Sequence, residues 1–201
     1  MDFEEVISKL KDVKQYAKEN FVPIIRDESA KFMFDFVRKN QFKNILEIGT
    51  DVGYSGCILL SASNGHLTTV DKNPQMIAIA KDTFKKNGLE DNVEVFCDDA
   101  YNLIKNLKND GRKYHLIFLD GAKGQYIRYL PILTDLLDEN GIIFADNVLL
   151  QGLVESQEEI PHRKRTMVVN LRKYIEAVSN YPYETEILHM EDGIAITKVK
   201  R

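Results

Sequence analysis

The stretch Asn44-Ile45-Leu46-Glu47-Ile48-Gly49-Thr50-Asp51-Val52-Gly53-Tyr54-Ser55 decides the fold. A short apolar run ends in an acid, meets two glycines, and passes into an apolar stretch. This reads as a strand turning sharply into a helix, because glycine admits positive φ and lets a ligand approach the main chain. The Gly-x-x-x-Gly spacing does not match the Gly-x-Gly-x-x-Gly of dinucleotide sites. Glu47, two residues before Gly49, suits a cationic or amine-bearing ligand better than a pyrophosphate. A plain glycine-containing strand-to-helix turn is the alternative.

Toward the C-terminus the alternation continues. NILEIG is followed by a helix from Tyr54, LTTVD by a helix from Pro74, and VEVFC by a helix near 100–107. HLIFLD then precedes a helix near 124–137, and GIIFAD follows it. Repeated β-α units predict an α/β fold with five parallel strands and helices on both faces. After a helix near 164–179, ETEILHM and IAITKV flank the turn Glu191-Asp192-Gly193, which predicts an antiparallel closing pair. Toward the N-terminus, residues 1–40 read as a helical extension to a domain of residues 41–201, within one globular unit. One helix is expected over 3–19 and a second over about 27–39, with Asp27 as N-cap. The prolines are expected at element boundaries.

The whole chain has 201 residues and a formal net charge of −4, with 44% hydrophobic and 29% charged residues. This is globular composition and argues against a wholly basic nucleic-acid binder, although a basic patch can hide inside a mild negative net. No apolar run approaches a membrane span, and MDFEEVISKLKDVK has no apolar signal core, so a cytoplasmic protein with no membrane partner is expected. Cys57 and Cys97 are isolated and read as reduced, buried thiols.

In an open α/β sheet, ligands bind beyond the carboxyl ends of the strands. Asp71 ends the second strand, where a carboxylate can accept from a ribose diol, but Asp-x-Asn-Pro also suits a helix start, with Asn73 as cap. Asp98 and Asp99 follow the third strand and could meet an adenine amino group or cap a helix. Asp120 ends the fourth strand and Asp146-Asn147 the fifth. Two carboxylates and an amide oxygen on neighbouring strand ends suit a divalent cation such as Mg²⁺, which relieves their mutual repulsion. The histidines are scattered, and His115, within a strand, reads as structural.

LEIGTDVGYS, TVDKNP, DDA, FLDGAKGQY and FADN, in this order, resemble the bacterial O-methyltransferases related to catechol and caffeoyl-CoA O-methyltransferases. The resemblance covers about 20–201. It implies a Rossmann-like class I methyltransferase sheet, S-adenosylmethionine as cofactor, and a divalent metal, Mg²⁺ or else Mn²⁺ or Ca²⁺. It implies further that Glu47, Gly49, Gly53 and Ser55 surround the methionine part of the cofactor, that Asp71 holds the ribose, and that Asp99 with Ala100 holds the adenine. Asp120, Asp146 and Asn147 would bind the metal, Asp120 also bordering the cofactor, and Lys123 would be the catalytic base. Asp71, Asp98 and Gly121 depart from the commoner Glu, Gly and Ala of this family. A homodimer is implied by the same analogy.

The segment from Pro161 to Tyr174 carries five basic side chains and no acid, against a net charge of −4 for the chain. Arg163, Lys164 and Arg165 are candidate phosphate contacts; a solvated helix start, neutralised by Glu155, Glu158 and Glu159, is the alternative. PHRKRTMV with the following Leu171, Arg172 and Tyr174 is similar to the tRNA 5-hydroxyuridine methyltransferases, which make 5-methoxyuridine at the anticodon wobble position. That resemblance implies a tRNA anticodon as partner, with a small catechol-like or caffeoyl-CoA-like phenol as the alternative substrate. Tyr54, Tyr101 and Tyr126 are candidates for stacking on a substrate ring, or core residues.

Overall fold

The computed structural model describes residues 1–200. Its helices are α1 (Phe3–Lys9), α2 (Lys11–Glu19), α3 (Asp27–Asn40), α4 (Tyr54–Ser63), α5 (Pro74–Lys86), α6 (Ala100–Asn109), α7 (Tyr126–Leu136) and α8 (Arg165–Val178). Its strands are β1 (Asn44–Ile48), β2 (His66–Asp71), β3 (Val93–Cys97), β4 (Tyr114–Leu119), β5 (Leu137–Asp146), β6 (Tyr183–Leu188) and β7 (Ile194–Val199). They form one seven-stranded sheet in the order β3-β2-β1-β4-β5-β7-β6. β1–β2, β2–β3 and β4–β5 pair in parallel, while β7 runs antiparallel to both β5 and β6. This is the mostly parallel α/β sheet with an antiparallel closing pair that the sequence predicts. The chain divides into two compact units, one of Met1–Leu103 and one from Ile104 onward.

In the first unit β1 is buried from Ile45 to Ile48, the near-continuous apolar pattern of a strand covered on both faces. α4 buries nearly every residue and packs with α1, α3, α5 and β2. Each fully buried Ile or Leu of α4 contributes about 1.5–3 kcal/mol. α3 presents Ala30, Met33, Phe34 and Val37 at helical spacing to form its buried face. The helix expected over 3–19 is pinched at Leu10, whose N–H reaches both Val6 and Ile7 carbonyls, so α1 and α2 are separate. Asp27 is not the cap of α3. Arg26 takes the extended cap conformation with no side-chain bond, and Asp27 is the first helical residue, where its charge favours the helix dipole and pairs with Lys14. Asn73 does cap α5, with Pro74 at its first position. Cys57 is buried as expected, but Cys97 is exposed, because edge strand β3 is only partly covered.

In the second unit β4 and β5 carry the apolar core, with Phe118 and Phe144 rings 5.7 Å apart. α7 and α8 pack together, with Tyr126 and Tyr174 rings edge to face at 5.6 Å. Pro131 lies inside α7 rather than at a boundary; burial of Tyr129, Leu130, Leu133 and Leu136 accompanies the helix past the missing donor. β6 alternates exposed Glu184 and Glu186 with half-buried residues, the pattern of a charged edge strand. His115 lies in β4, half-buried, 3.4 Å from Asp138.

Candidate active site

The first cluster of functional side chains lies at the carboxyl ends of β1, β2 and β3. Between β1 and α4 the chain turns through left-handed backbone at Gly49 (φ 107°), Asp51 (φ 41°) and Gly53 (φ 80°). The Gly49 and Thr50 N–H groups both donate to the Val70 carbonyl of β2, at 3.0 and 3.3 Å. At Gly53 a Cβ would stand 3.2 Å from the Ala80 backbone, so glycine meets two demands there, the positive φ and the close approach of α5. α4 begins without a side-chain cap and without an acid in its first turn.

Glu47 is fully buried, and its carboxylate is gripped from two sides. Ser55 Oγ donates to Oε1 and Thr69 Oγ1 donates to Oε2, each at 2.6 Å. Thr50 Oγ1 lies 2.7 Å from Thr69 Oγ1. Asp71 accepts from two main-chain donors, Asp51 N at 3.2 Å and Asn73 N at 2.8 Å, and so ties the glycine turn to the start of α5. Asp99 Oδ1 accepts from Tyr101 N at 2.9 Å, the helix-capping role, and Asp98 accepts from Asp99 N; both acids are exposed, beside half-buried Ala100. The sequence singled out Glu47, Gly49, Gly53, Ser55, Asp71, Asp99 and Ala100, and all of them fall at these three strand ends. Thr69 and Thr50 were not singled out; the signal available was a hydroxyl residue in β2, in register with Glu47, and another in the glycine turn. Carboxylate acceptors around a glycine turn suit a ligand bearing an amine and hydroxyls, which is the chemistry of S-adenosylmethionine.

The second cluster lies at the ends of β4 and β5. Leu119 pairs with Ala145 in register, so Asp120 and Asp146 leave the two strands side by side. Tyr126, fully buried, donates its hydroxyl to the Leu119 carbonyl at 2.9 Å and lies 3.4 Å from that of Asp146, pinning the two strand ends together. Burial, and then the charges of Asp120 and Asp146, push the phenol upward, so it stays a donor. Tyr126 is therefore core and not a stacking platform; Tyr54, 1% exposed with its phenol pushed up to about 12 by burial and then by Asp27, is also core. Tyr101 is half-buried.

Asp146 is 1% exposed. Burial first, and the Asp120 charge second, raise its carboxyl to about 7, opposed by the Asn147 N–H and by Lys123. Burial also raises Asp120, against the pull of Lys123, whose Nζ stands 3.2 Å away. Asn147 has left-handed backbone (φ 56°) and donates its N–H to Asp146 Oδ1 at 2.8 Å. Among the described residues no group of three or more His, Cys, Asp or Glu could hold a metal, so a cation on Asp120 and Asp146 would need further oxygen donors, for which the adjoining Asn147 amide is a candidate. Two carboxylates on neighbouring strand ends, the Asp120 charge helping to raise Asp146, with Asn147 next in the chain, fit a hard divalent cation.

The loop after β5 is tied down from several sides. Val148 and Leu149 N–H groups donate to Gly193 and Asp192 carbonyls. The Arg172 guanidinium donates to the carbonyls of Val154 (2.8 Å), Leu153 (3.3 Å) and Ser156 (2.7 Å). Arg172, one of the five cations of the basic segment, is thus a loop anchor. Lys164 Nζ donates to Gln151 at 3.2 Å and Arg165 lies 3.4 Å from Glu159. Of the acids weighed as partners for this segment, Glu159 takes that role and Glu155 lies 2.9 Å from His189 instead. Arg163 is exposed.

A family model described as O-methyltransferase matches residues 2–200. Caffeoyl-CoA O-methyltransferase 1 of Nicotiana tabacum is 28% identical, across 98% of this chain and 84% of its own. The O-methyltransferase ankF of Aspergillus thermomutatus is 30% identical, across 79% of this chain and 71% of its own. Among solved structures, a Staphylococcus aureus chain proposed to be a caffeoyl-CoA O-methyltransferase is 32% identical with a TM-score of 0.85, covering 94% of this chain and 90% of that one. A Bacillus cereus O-methyltransferase solved with S-adenosylhomocysteine is 25% identical with a TM-score of 0.86, covering 96% and 91%.

Proposed function

The chain belongs to the O-methyltransferase family and is an S-adenosylmethionine-dependent O-methyltransferase of the caffeoyl-CoA type; on that premise we propose that it is also metal-dependent and methylates 5-hydroxyuridine in tRNA to 5-methoxyuridine. The observation that carries the metal is the pair Asp120 and Asp146, which leave β4 and β5 in register, Asp146 buried and Asp120 half-buried. The RNA reading is supported by Arg163, Lys164 and Arg165, a cationic segment joined through Lys164 and Gln151 to the loop that follows Asp146 and Asn147.

S-Adenosylmethionine supplies the methyl group on a sulfonium, and an in-line displacement gains most from alignment of the attacking oxygen with that group. Asp120, Asp146 and Asn147 would hold a divalent cation, which would supply Lewis-acid chemistry that eases ionisation of the attacking hydroxyl. 5-Hydroxyuracil has two adjacent oxygens in its hydroxyl and O4 carbonyl, as catechol does in its two hydroxyls. Lys123, as the neutral amine, takes the hydroxyl proton, and Asp120 accepts from the ammonium that results. Glu47, Gly49, Gly53 and Ser55 receive the amino-acid end of the cofactor, Asp71 the ribose, and Asp99 with Ala100 the adenine. Cytoplasmic location accords with a tRNA substrate, and no helix among the described residues is long and apolar enough to cross a membrane.

The second reading, a small caffeoyl-CoA-like phenol, is favoured by the activity named for the tobacco relative. The test is incubation of the protein with S-adenosylmethionine, Mg²⁺ and either tRNA containing 5-hydroxyuridine or caffeoyl-CoA, with mass spectrometry of the products. 5-Methoxyuridine is the expected product; methylation of the phenol with unmodified tRNA overturns the RNA reading.

A further inference from the structure

Thr69 lies on β2, fully buried, with no part in the roles assigned above. An ionised carboxylate only accepts hydrogen bonds, so the single hydroxyl proton of Thr69 goes to Glu47 Oε2, at 2.6 Å. Thr69 therefore has only lone pairs left for Thr50, and Thr50 must be the donor across their 2.7 Å contact. The direction of the chain is fixed: Thr50 gives to Thr69, Thr69 gives to Glu47, and Ser55 gives to the other carboxylate oxygen. Thr50 belongs to the glycine turn, Glu47 to the end of β1, and Ser55 to the first turn of α4. Thr69 is thus a side chain through which β2 grips both the acid and the turn.

We propose that Thr69 is a positioning residue of the cofactor site, holding the Glu47 carboxylate and, through Thr50, the glycine turn, so that the site recognises the amino-acid end of the cofactor. The proposal rests on the assignment of this turn to the methionine part of S-adenosylmethionine. Burying an anion costs free energy unless donors satisfy it. Two hydroxyls satisfy the buried Glu47 carboxylate, and an anion so held beside the turn favours an ammonium there. Thr69→Val keeps the branched shape and removes one of those donors; Thr69→Ser keeps the donor.

Calorimetric titration with two nucleosides tests this. S-Adenosylhomocysteine carries the amino-acid end and 5′-methylthioadenosine lacks it, while both carry the ribose and adenine. Thr69→Val should weaken S-adenosylhomocysteine by about tenfold or more, the scale of a hydrogen bond to a charged group, and leave 5′-methylthioadenosine within about twofold. Thr69→Ser should restore the first affinity. Equal weakening of both nucleosides with a lowered Tm would mean a merely structural threonine and overturn the proposal, as would no change in either. If the unaltered protein binds neither nucleoside, the assignment of the cofactor site itself falls, and this inference falls with it.

Discussion

Lys123 Nζ stands 3.2 Å from Asp120 Oδ1, and the two side chains are only 19% and 14% exposed. The group assigned as base and a group assigned as metal ligand are therefore partners in one withdrawn ion pair. A cation arriving at Asp120 meets the positive charge of Lys123, and the two compete for the same oxygen. Lys123→Met should lower kcat by about 10²–10⁴-fold, the usual range for a general base. It should bind Mn²⁺ at least as tightly as the unaltered protein, because a competitor for Asp120 is gone. Weaker Mn²⁺ binding, measured by titration, would show that Lys123 supports the metal site instead.

Asp146 gives a pH-dependent prediction. Its carboxyl is raised from 3.8 to about 7 in the folded protein, by burial and by Asp120. Between those values the folded state holds more protons than the unfolded state, so stability of the metal-free protein falls as pH rises through that window. Tm measured in EDTA should be higher at pH 5.5 than at pH 8, and Asp146→Asn should flatten the difference. Added Mg²⁺ should restore Tm at pH 8, since a divalent cation offsets the paired charges. Activity should vanish in Asp120→Ala, in Asp146→Ala and in EDTA; full turnover in EDTA would sink the metal assignment.

The basic segment separates into two kinds of cation. Arg163, Lys164 and Arg165 lie outside the core, so their joint reversal to Glu should change stability by less than about 1 kcal/mol. It should reduce tRNA affinity strongly and flatten its dependence on salt, while methylation of a small catechol stays within about twofold. Arg172→Ala removes the donor that three carbonyls share. It should lower Tm and loosen residues 153–156 in hydrogen exchange, with both substrates affected alike.

Gly53→Ala tests the glycine turn. It combines positive φ with a Cβ held 3.2–3.3 Å from Ala80, so it should cost about 1–3 kcal/mol of stability. S-Adenosylhomocysteine affinity should drop with it, because α4 and α5 can relieve the contact only by moving apart. A variant that melts and binds normally would show the turn to be slack.

Several features were legible from local pattern. The alternation of apolar runs with helical periods carried the sheet class, since period and length depend on neighbouring residues alone. Acids after each strand marked the site for the same reason: position along the chain sets position at the strand end. The misread features depend on backbone geometry at helix ends or on what lies across space. Leu10 pinches the first helix, and Asp27 stands inside α3 rather than capping it. Cys97 is exposed because β3 is an edge, a fact of strand order and not of its own five residues. Arg172 looks like one more surface cation until the carbonyls beneath it are seen.

By itself the sequence determined that Glu47, Asp71, Asp99, Asp120 and Asp146 would stand at or near the ends of successive strands, because each lies where an apolar run stops. Only the tertiary structure decided what each acid does there. Hydrogen bonds of 2.6 Å from residues 8 and 22 positions away grip Glu47. Asp71 and Asp99 hold main-chain donors of the turns beside them. The Asp146 carboxyl is raised by burial first and then by a neighbour that pairing brings alongside. The state of a carboxylate follows from its solvent and its partners, and packing supplies both.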